Sequence, residues 1–399
     1  GKLLDFKESG KFINAYADFY DQKTYYLSSV ADSVFVNPFG GVDFKGLSSE
    51  VLYYKDIEDK TGVKMEVIRH GKYKSAVDSF LKSIWNQMLV DVSKSRNKTI
   101  DELNFIADNL LARNSSLALE NNLVDGEIYL DEYADKLKLA VGISTDDDLN
   151  KITLQDYIST GKGRIRSSAS NKIAVIYAQG EILYGDGDEN YIGQNLIINA
   201  LRKAQDDKNI KAIVLRVNSP GGSALASELI WREMELASKK LPIVVSMGNL
   251  AASGGYYIAC NADRIFAEPT TITGSIGVYG LIPNLNKLAD NIGVNAEQVS
   301  TNTGANYSVF EPMTDAFRTV STEGVEQIYT TFIERVATGR DMLVKDVDSV
   351  AQGRVWSGVE ALEKGLVDAL GNLDDAVSYA AELADITDYK VRNLSLIHI

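Results

Sequence analysis

Between residues 171 and 257 apolar positions follow two alternating patterns. "NKIAVIYAQG" from Asn171 is a nearly unbroken apolar run ending at glycine, which predicts a buried strand. "NLIINALRKAQDD" from Asn195 repeats its apolar positions at helical spacing. "IKAIVLRVN" from Ile210 predicts a second buried strand, running into the turn "SPGGS". "ALASELIWREMELASKK" from Ala224 predicts a helix, and "LPIVVSM" from Leu241 a strand leading towards "AASGGYY", Ala251 to Tyr257. Alternating strands and helices favour a parallel sheet with helical crossovers, so the fold class is α/β.

The chain also repeats itself. "YYLSSVADSVFVNP" from Tyr25 matches "YYIACNADRIFAEP" from Tyr256, and "ALENNLVD" from Ala118 matches "ALEKGLVD" from Ala361. The offsets, about 231 and about 243 positions, imply a tandem duplicated domain whose first copy is shortened just after Phe80. In that register Gly1 aligns near Arg232, so the first copy is expected to lack its opening strands. The expected division is residues 1–145 for the first copy, a polar linker over 146–170, and residues 171–393 for the second copy. "LSLIHI", residues 394–399, reads as a non-native tail.

Composition narrows the partners. A formal net charge of −14 with no basic cluster argues against nucleic acid and anionic membrane surfaces. One cysteine, Cys260, rules out an intrachain disulfide, and no Cys/His cluster has metal spacing, so neither metal nor cofactor is expected. No apolar run is long enough to span a membrane; the opening "GKLLDFKESGK" reads as domain interior, with a leader or anchor expected upstream.

Ser253, on a glycine-rich turn after a strand, is placed as a nucleophile would be. Gly221 and Gly222 in the "SPGGS" turn, with Gly254 beside the serine, offer backbone N–H groups for an oxyanion hole. The bland reading is two ordinary strand-to-helix turns. The base is less obvious. His70 sits in the basic stretch "VIRHGKYKSA", expected to be a solvated loop, and "GKYKSAVDSF" offers Lys72 and Lys74. A lysine can act as base if burial lowers its pKa, but the residues alone do not choose one.

"LRVNSPGGS", "MGNLAASGGYYIAC", "TTITGSIGVYG" and "GKYKSAV" together resemble the long bacterial form of the signal peptide peptidase A (protease IV) family. The resemblance runs from about Lys11 to about Asp385. It implies tandem Clp-protease/crotonase-like domains and a Ser-Lys dyad, with Ser253 as nucleophile, Lys74 as general base and Ser275 orienting the lysine. It also implies a serine endopeptidase that degrades cleaved signal peptides. Such an enzyme works on the extracytoplasmic, periplasmic side of the bacterial membrane, anchored by an N-terminal span, as a homo-oligomer (a tetramer in the family). Within the repeat Ser253 aligns with Gln22, Ser275 with Phe44, and Lys74 near Tyr307, so each copy has what the other lacks. Leu250 and Tyr256 are expected to line a groove for extended apolar peptides, which could add as a strand. Two alternatives stand beside this reading: a crotonase-like acyl-CoA enzyme, and an inactive scaffold that binds peptide.

Overall fold

The computed structural model describes residues 2–48, 58, 60–70, 78–161, 168–297 and 308–394. In the first half the elements are α1 (Lys2–Glu8), β1 (Asn14–Ala17), α2 (Gln22–Ser28), β2 (Ser33–Val36), β3 (Lys64–His70) and α3 (Asp78–Arg96). They continue with α4 (Ile100–Asp108), α5 (Ser115–Glu120), β4 (Gly126–Glu127), α6 (Leu130–Ala140) and α7 (Leu154–Ser159), the last inside the polar stretch expected as linker. The second half opens with β5 (Lys172–Gln179), β6 (Glu181–Leu183), β7 (Tyr191–Gly193), α8 (Gln194–Asp206), β8 (Ile210–Ser219) and α9 (Ala224–Ser238). Then come β9 (Ile243–Ala252), α10 (Gly254–Tyr257), β10 (Arg264–Ala267), β11 (Ile272–Gly274), β12 (Val278–Asn284), α11 (Asn286–Ile292) and α12 (Asp315–Arg340). The chain closes with α13 (Val344–Val350), β13 (Val355–Ser357), α14 (Gly358–Glu363), β14 (Ala369–Leu370), α15 (Leu373–Leu383) and β15 (Lys390–Asn393).

Two compact units form, Gly1–Ser48 with Ile84–Arg166, and Ser49–Ser83 with Ser167–Ile399. The units are therefore discontinuous in sequence: β3, from the first half of the chain, is part of the second unit.

In that second unit the main sheet runs β13-β11-β9-β8-β5-β15, with β10 on β9 and β14 on β10. Its pairs are parallel except β11 with β13. The continuous apolar strands follow from coverage on both faces. Ile213, Leu215 and Val217 of β8 pack in one core with Ile197, Leu201, Ile230 and Met234 of α8 and α9. The alternate residues Ala212 and Val214 pack with Ala376, Val377 and Ala380 of α15. Ser223 caps α9, its Oγ accepting from the Ala226 N–H, so the chain turns into a helix directly after Gly222. The far edge of β9 is divided: Val244–Ser246 pair with β10, and Leu250–Ala252 with β11.

The duplication is visible as repeated bonding inside each unit. The Tyr25 hydroxyl donates to the Leu123 carbonyl at 2.8 Å, and the Tyr256 hydroxyl to the Leu366 carbonyl at 2.7 Å. Asp125 accepts from the Val34 N–H and pairs with Arg96; Asp368 accepts from the Ile265 N–H and pairs with Arg340. The pairing of β2 with β4 is repeated by β10 with β14, both parallel.

Leu394, assigned to the tail from sequence, belongs to the fold: its N–H donates to the Val175 carbonyl. The other tail residues, 395–399, lie outside the described residues. Among the described residues no helix is long and apolar enough to cross a membrane, and no group of residues could hold a metal ion.

Candidate active site

β9 ends at Ala252, and α10 starts at Gly254. Ser253 joins them at φ 54°, ψ −122°, a conformation that costs a non-glycine residue about 1–3 kcal/mol. The turn is held from below, where the Ser253 N–H donates to the Gly274 carbonyl at 2.9 Å. The side chain makes no capping bond back to its own helix.

The "SPGGS" turn closes against it. Gly221 and Gly222 have φ +95° and +147°. A Cβ on Gly221 would lie 2.5 Å from the Gly254 nitrogen, and one on Gly222 would lie 2.0 Å from the Ile182 carbonyl oxygen. The Ile182 N–H donates to Gly221 and the Ser223 N–H to Ile182, so β6 clamps the turn. Among the described residues neither the Gly222 nor the Gly254 N–H has a protein acceptor. Two unspent donors beside the half-buried Ser253 are the parts of an oxyanion hole.

Ser253 opens on a cavity of about 280 Å³. Gly222, Tyr257, Val278, Ile328 and Phe332 are among the residues that line it. The walls are mostly apolar and come from α9, α10, β12 and α12. Tyr257 is fixed behind its ring: its hydroxyl donates to Glu228 at 2.5 Å, and Glu228 pairs with Arg335 of α12 at 2.6 Å. Burial pushes the Tyr257 phenol up, and the bond to Glu228 raises it further.

The structure corrects one groove residue. Tyr256 is fully buried and faces the core, whereas Tyr257 lines the cavity. The repeat held no signal for this, because both tyrosines recur, Tyr256 matching Tyr25 and Tyr257 matching Tyr26. Leu250 is half-buried and pairs with Ile272. Burial pushes the Cys260 thiol up to about 12, so it offers no second nucleophile.

Ser275 follows Gly274, whose register partner is Ala252, so Ser253 and Ser275 leave adjacent strands at the same level. Ser275 is buried, also has positive φ (49°), and donates its N–H to the Arg354 carbonyl at 2.7 Å.

His70 is not in a solvated loop. It ends β3, opposite Val278 of β12. Its Nδ1 lies 2.8 Å from Glu326, and its ring stacks on Tyr329 at 3.7 Å. Lys72 and Lys74 lie outside the described residues.

A strained serine between two free N–H groups, beside an apolar cavity on a parallel α/β sheet, is the arrangement of a serine peptidase. Comparison with known proteins agrees. A family model described as Peptidase family S49 matches residues 5–151 and again 235–387, as a tandem duplication requires, and one described as Clp protease matches residues 166–273. Protease 4 of Haemophilus influenzae is 39% identical over 96% of this chain, and Protease 4 of Salmonella typhi 36% over 98%. Serine protease SPPA, chloroplastic, of Arabidopsis thaliana is 33% identical over 96%. The chain spans 67%, 66% and 60% of the lengths of these three relatives. The chain belongs to peptidase family S49.

Proposed function

We propose that this chain carries the active site of a serine endopeptidase that degrades cleaved signal peptides and other extended apolar peptides. Ser253 attacks the scissile carbonyl, and its proton passes to Lys74 as the neutral amine. The N–H groups of Gly222 and Gly254 hold the oxyanion, and Gly221 lets the two turns meet. Lys74 returns the proton to the leaving amine as the C–N bond breaks. Water, deprotonated by the same lysine, then releases the acyl group. Ser275 orients the lysine.

The observation that carries this reading is the Ser253 turn, which is strained and flanked by two N–H groups without protein acceptors among the described residues. His70, held by Glu326 through Nδ1 and stacked on Tyr329, is not among the residues that line the Ser253 cavity, which leaves the base to another residue. Lys74 follows four residues later, within about 14 Å of extended chain, and His70 faces Val278 of the cavity wall. The apolar walls suit the apolar core segment of a signal peptide. The reading includes a homo-oligomer on the extracytoplasmic side of a bacterial membrane. The exposed face of the β3–β12 pair, with Val67, Tyr279 and Leu281 each about half exposed, supports association between copies.

The test is labelling with a fluorophosphonate together with turnover of an apolar peptide. Ser253→Ala should lose both, and Lys74→Met should lose turnover while its urea midpoint at neutral pH stays level or rises, since a base near pH 7 must be a desolvated lysine. Turnover near the wild-type rate in either variant removes that residue from the mechanism.

A further inference from the structure

The carboxyl ends of β5, β8 and β9 hold a second cavity, of about 180 Å³, that shares no lining residue with the one at Ser253. Tyr177, Gln179, Arg216, Asn218, Gly248 and Asn249 line it. On β8, Arg216 and Asn218 continue the face that Ala212 and Val214 present to α15.

A break in register builds the cavity. Val217 pairs with Met247 and Ser219 with Ala251, so Asn218 alone stands opposite Gly248, Asn249 and Leu250. Such bulges re-aim side chains beside functional sites. Here the bulge leaves Asn249 exposed, and a Cβ on Gly248 would lie 3.1 Å from the Asn218 side chain.

The lining is rich in N–H donors and, among the described residues, has no acid. Arg216 is half-buried and donates through Nη1 to Ser246 Oγ at 2.7 Å and to the Met247 carbonyl at 2.8 Å. Its Nη2 and Nε have no acceptor among the described residues, and it makes no ion pair among them. Glu268 acts on it through its charge from beyond ion-pair distance. The Asn218 Oδ1 accepts from the Leu250 N–H at 3.1 Å, which leaves its Nδ2 to donate. Gln179 and Asn249 add exposed amides.

We propose that this cavity is a carboxylate-binding subsite, in which the free edge of the Arg216 guanidinium and the amides of Asn218 and Asn249 hold a carboxylate of the peptide substrate. A planar guanidinium edge presents two parallel donors to the two carboxylate oxygens. The inference rests on the peptidase reading. Asn249 precedes Ser253 by four residues, a span of at most about 13 Å, but the subsite lies on the α15 face of the sheet and the Ser253 cavity on the other, so a peptide at the serine reaches the subsite by crossing the carboxyl ends of the strands, with a residue about four or more positions away. The carboxylate is either the C-terminus or an Asp or Glu side chain.

The experiment measures binding of a fluorescein-labelled Ala/Leu peptide to the Ser253→Ala chain by anisotropy. The peptide is used as the free acid, as the C-terminal amide, and as the amide with one Asp placed at each position in turn. The free acid or one Asp peptide should bind about tenfold more tightly than the plain amide, which identifies the source of the carboxylate. Adding Arg216→Gln should remove that preference. Asn249→Asp, an exposed change outside the Arg216 bonding, should remove or reverse it even if the arginine variant fails to fold. Equal affinity for all the peptides, or a preference that survives Asn249→Asp, overturns the subsite and leaves the peptidase reading standing. No binding here and no turnover by the unmodified chain overturns both.

Discussion

At Gly221 the backbone sits at φ +95°, and the space a side chain would take belongs to the Gly254 nitrogen and the Ser253 Cβ. Gly221→Ala therefore strains the turn and pushes away the Gly254 N–H, a proposed oxyanion donor. Turnover should fall about 100- to 1,000-fold, the usual cost of one such donor, while the folded state loses about 1–3 kcal/mol. Peptide turnover and a urea midpoint on the same sample check this; near-normal turnover would mean that the two turns do not act together. At this scale the sequence was most legible where one residue type answers to one conformation, as in the two glycine turns and the serine between strand and helix. It was least legible where neighbours are chemically alike. Tyr256 and Tyr257 differ only in which side of a short helix they occupy, and the repeat, in which both recur as Tyr25 and Tyr26, does not separate them. His70 looked exposed because its neighbours are basic; its partner, Glu326, is far along the chain, and no local pattern announces it.

Among elements, β5, β8 and β9 could be read directly because burial on both faces leaves continuous apolar runs. The pair β3 and β12 could not. Its outward positions Met65, Val67 and Leu281 are apolar too, so the inside–outside contrast that marks a strand is weak. This pair is tied to α12 by His70–Glu326 and by Glu66, which sits between Lys64 at 2.7 Å and Arg318 at 2.8 Å. His70→Ala removes the contact with Glu326 and a ring stack without touching the serine turn. Turnover should stay within a few-fold while stability falls by about 1 kcal/mol, read as a shift in urea midpoint. A loss of several orders of magnitude would instead make His70 the base. The hydrogen bond from Lys64, and then that from Arg318, hold the Glu66 carboxyl below its ordinary 4.5. Its contribution is therefore present above that value and is lost as pH falls through the lower folded one. The gap in urea midpoint between the wild type and Glu66→Gln should be open at pH 7 and close in the acid range below 4.5. A gap that stays constant across that range would show that the carboxylate charge is irrelevant to this junction.

Over the whole molecule, the duplication was legible because the repeated bonds need particular residues in a particular order: a tyrosine, a strand N–H, and an aspartate after "LV". The division into compact units was not legible, because chain order says nothing about which unit a connecting segment joins. That division has a consequence for synthesis. β3 emerges about 200 residues before β12, the strand it pairs with along its full length. At roughly 5–20 residues per second, the ribosome takes about 10–40 s to make the intervening chain. Throughout that interval β3 lacks the strand it pairs with, and Ser253 has not yet been translated for most of it. A nascent chain of this kind holds no complete catalytic apparatus. On the proposed mechanism the order of its parts delays hydrolysis at least until β12 has been made, and in this respect the topology does the work of a propeptide without a cleavage step.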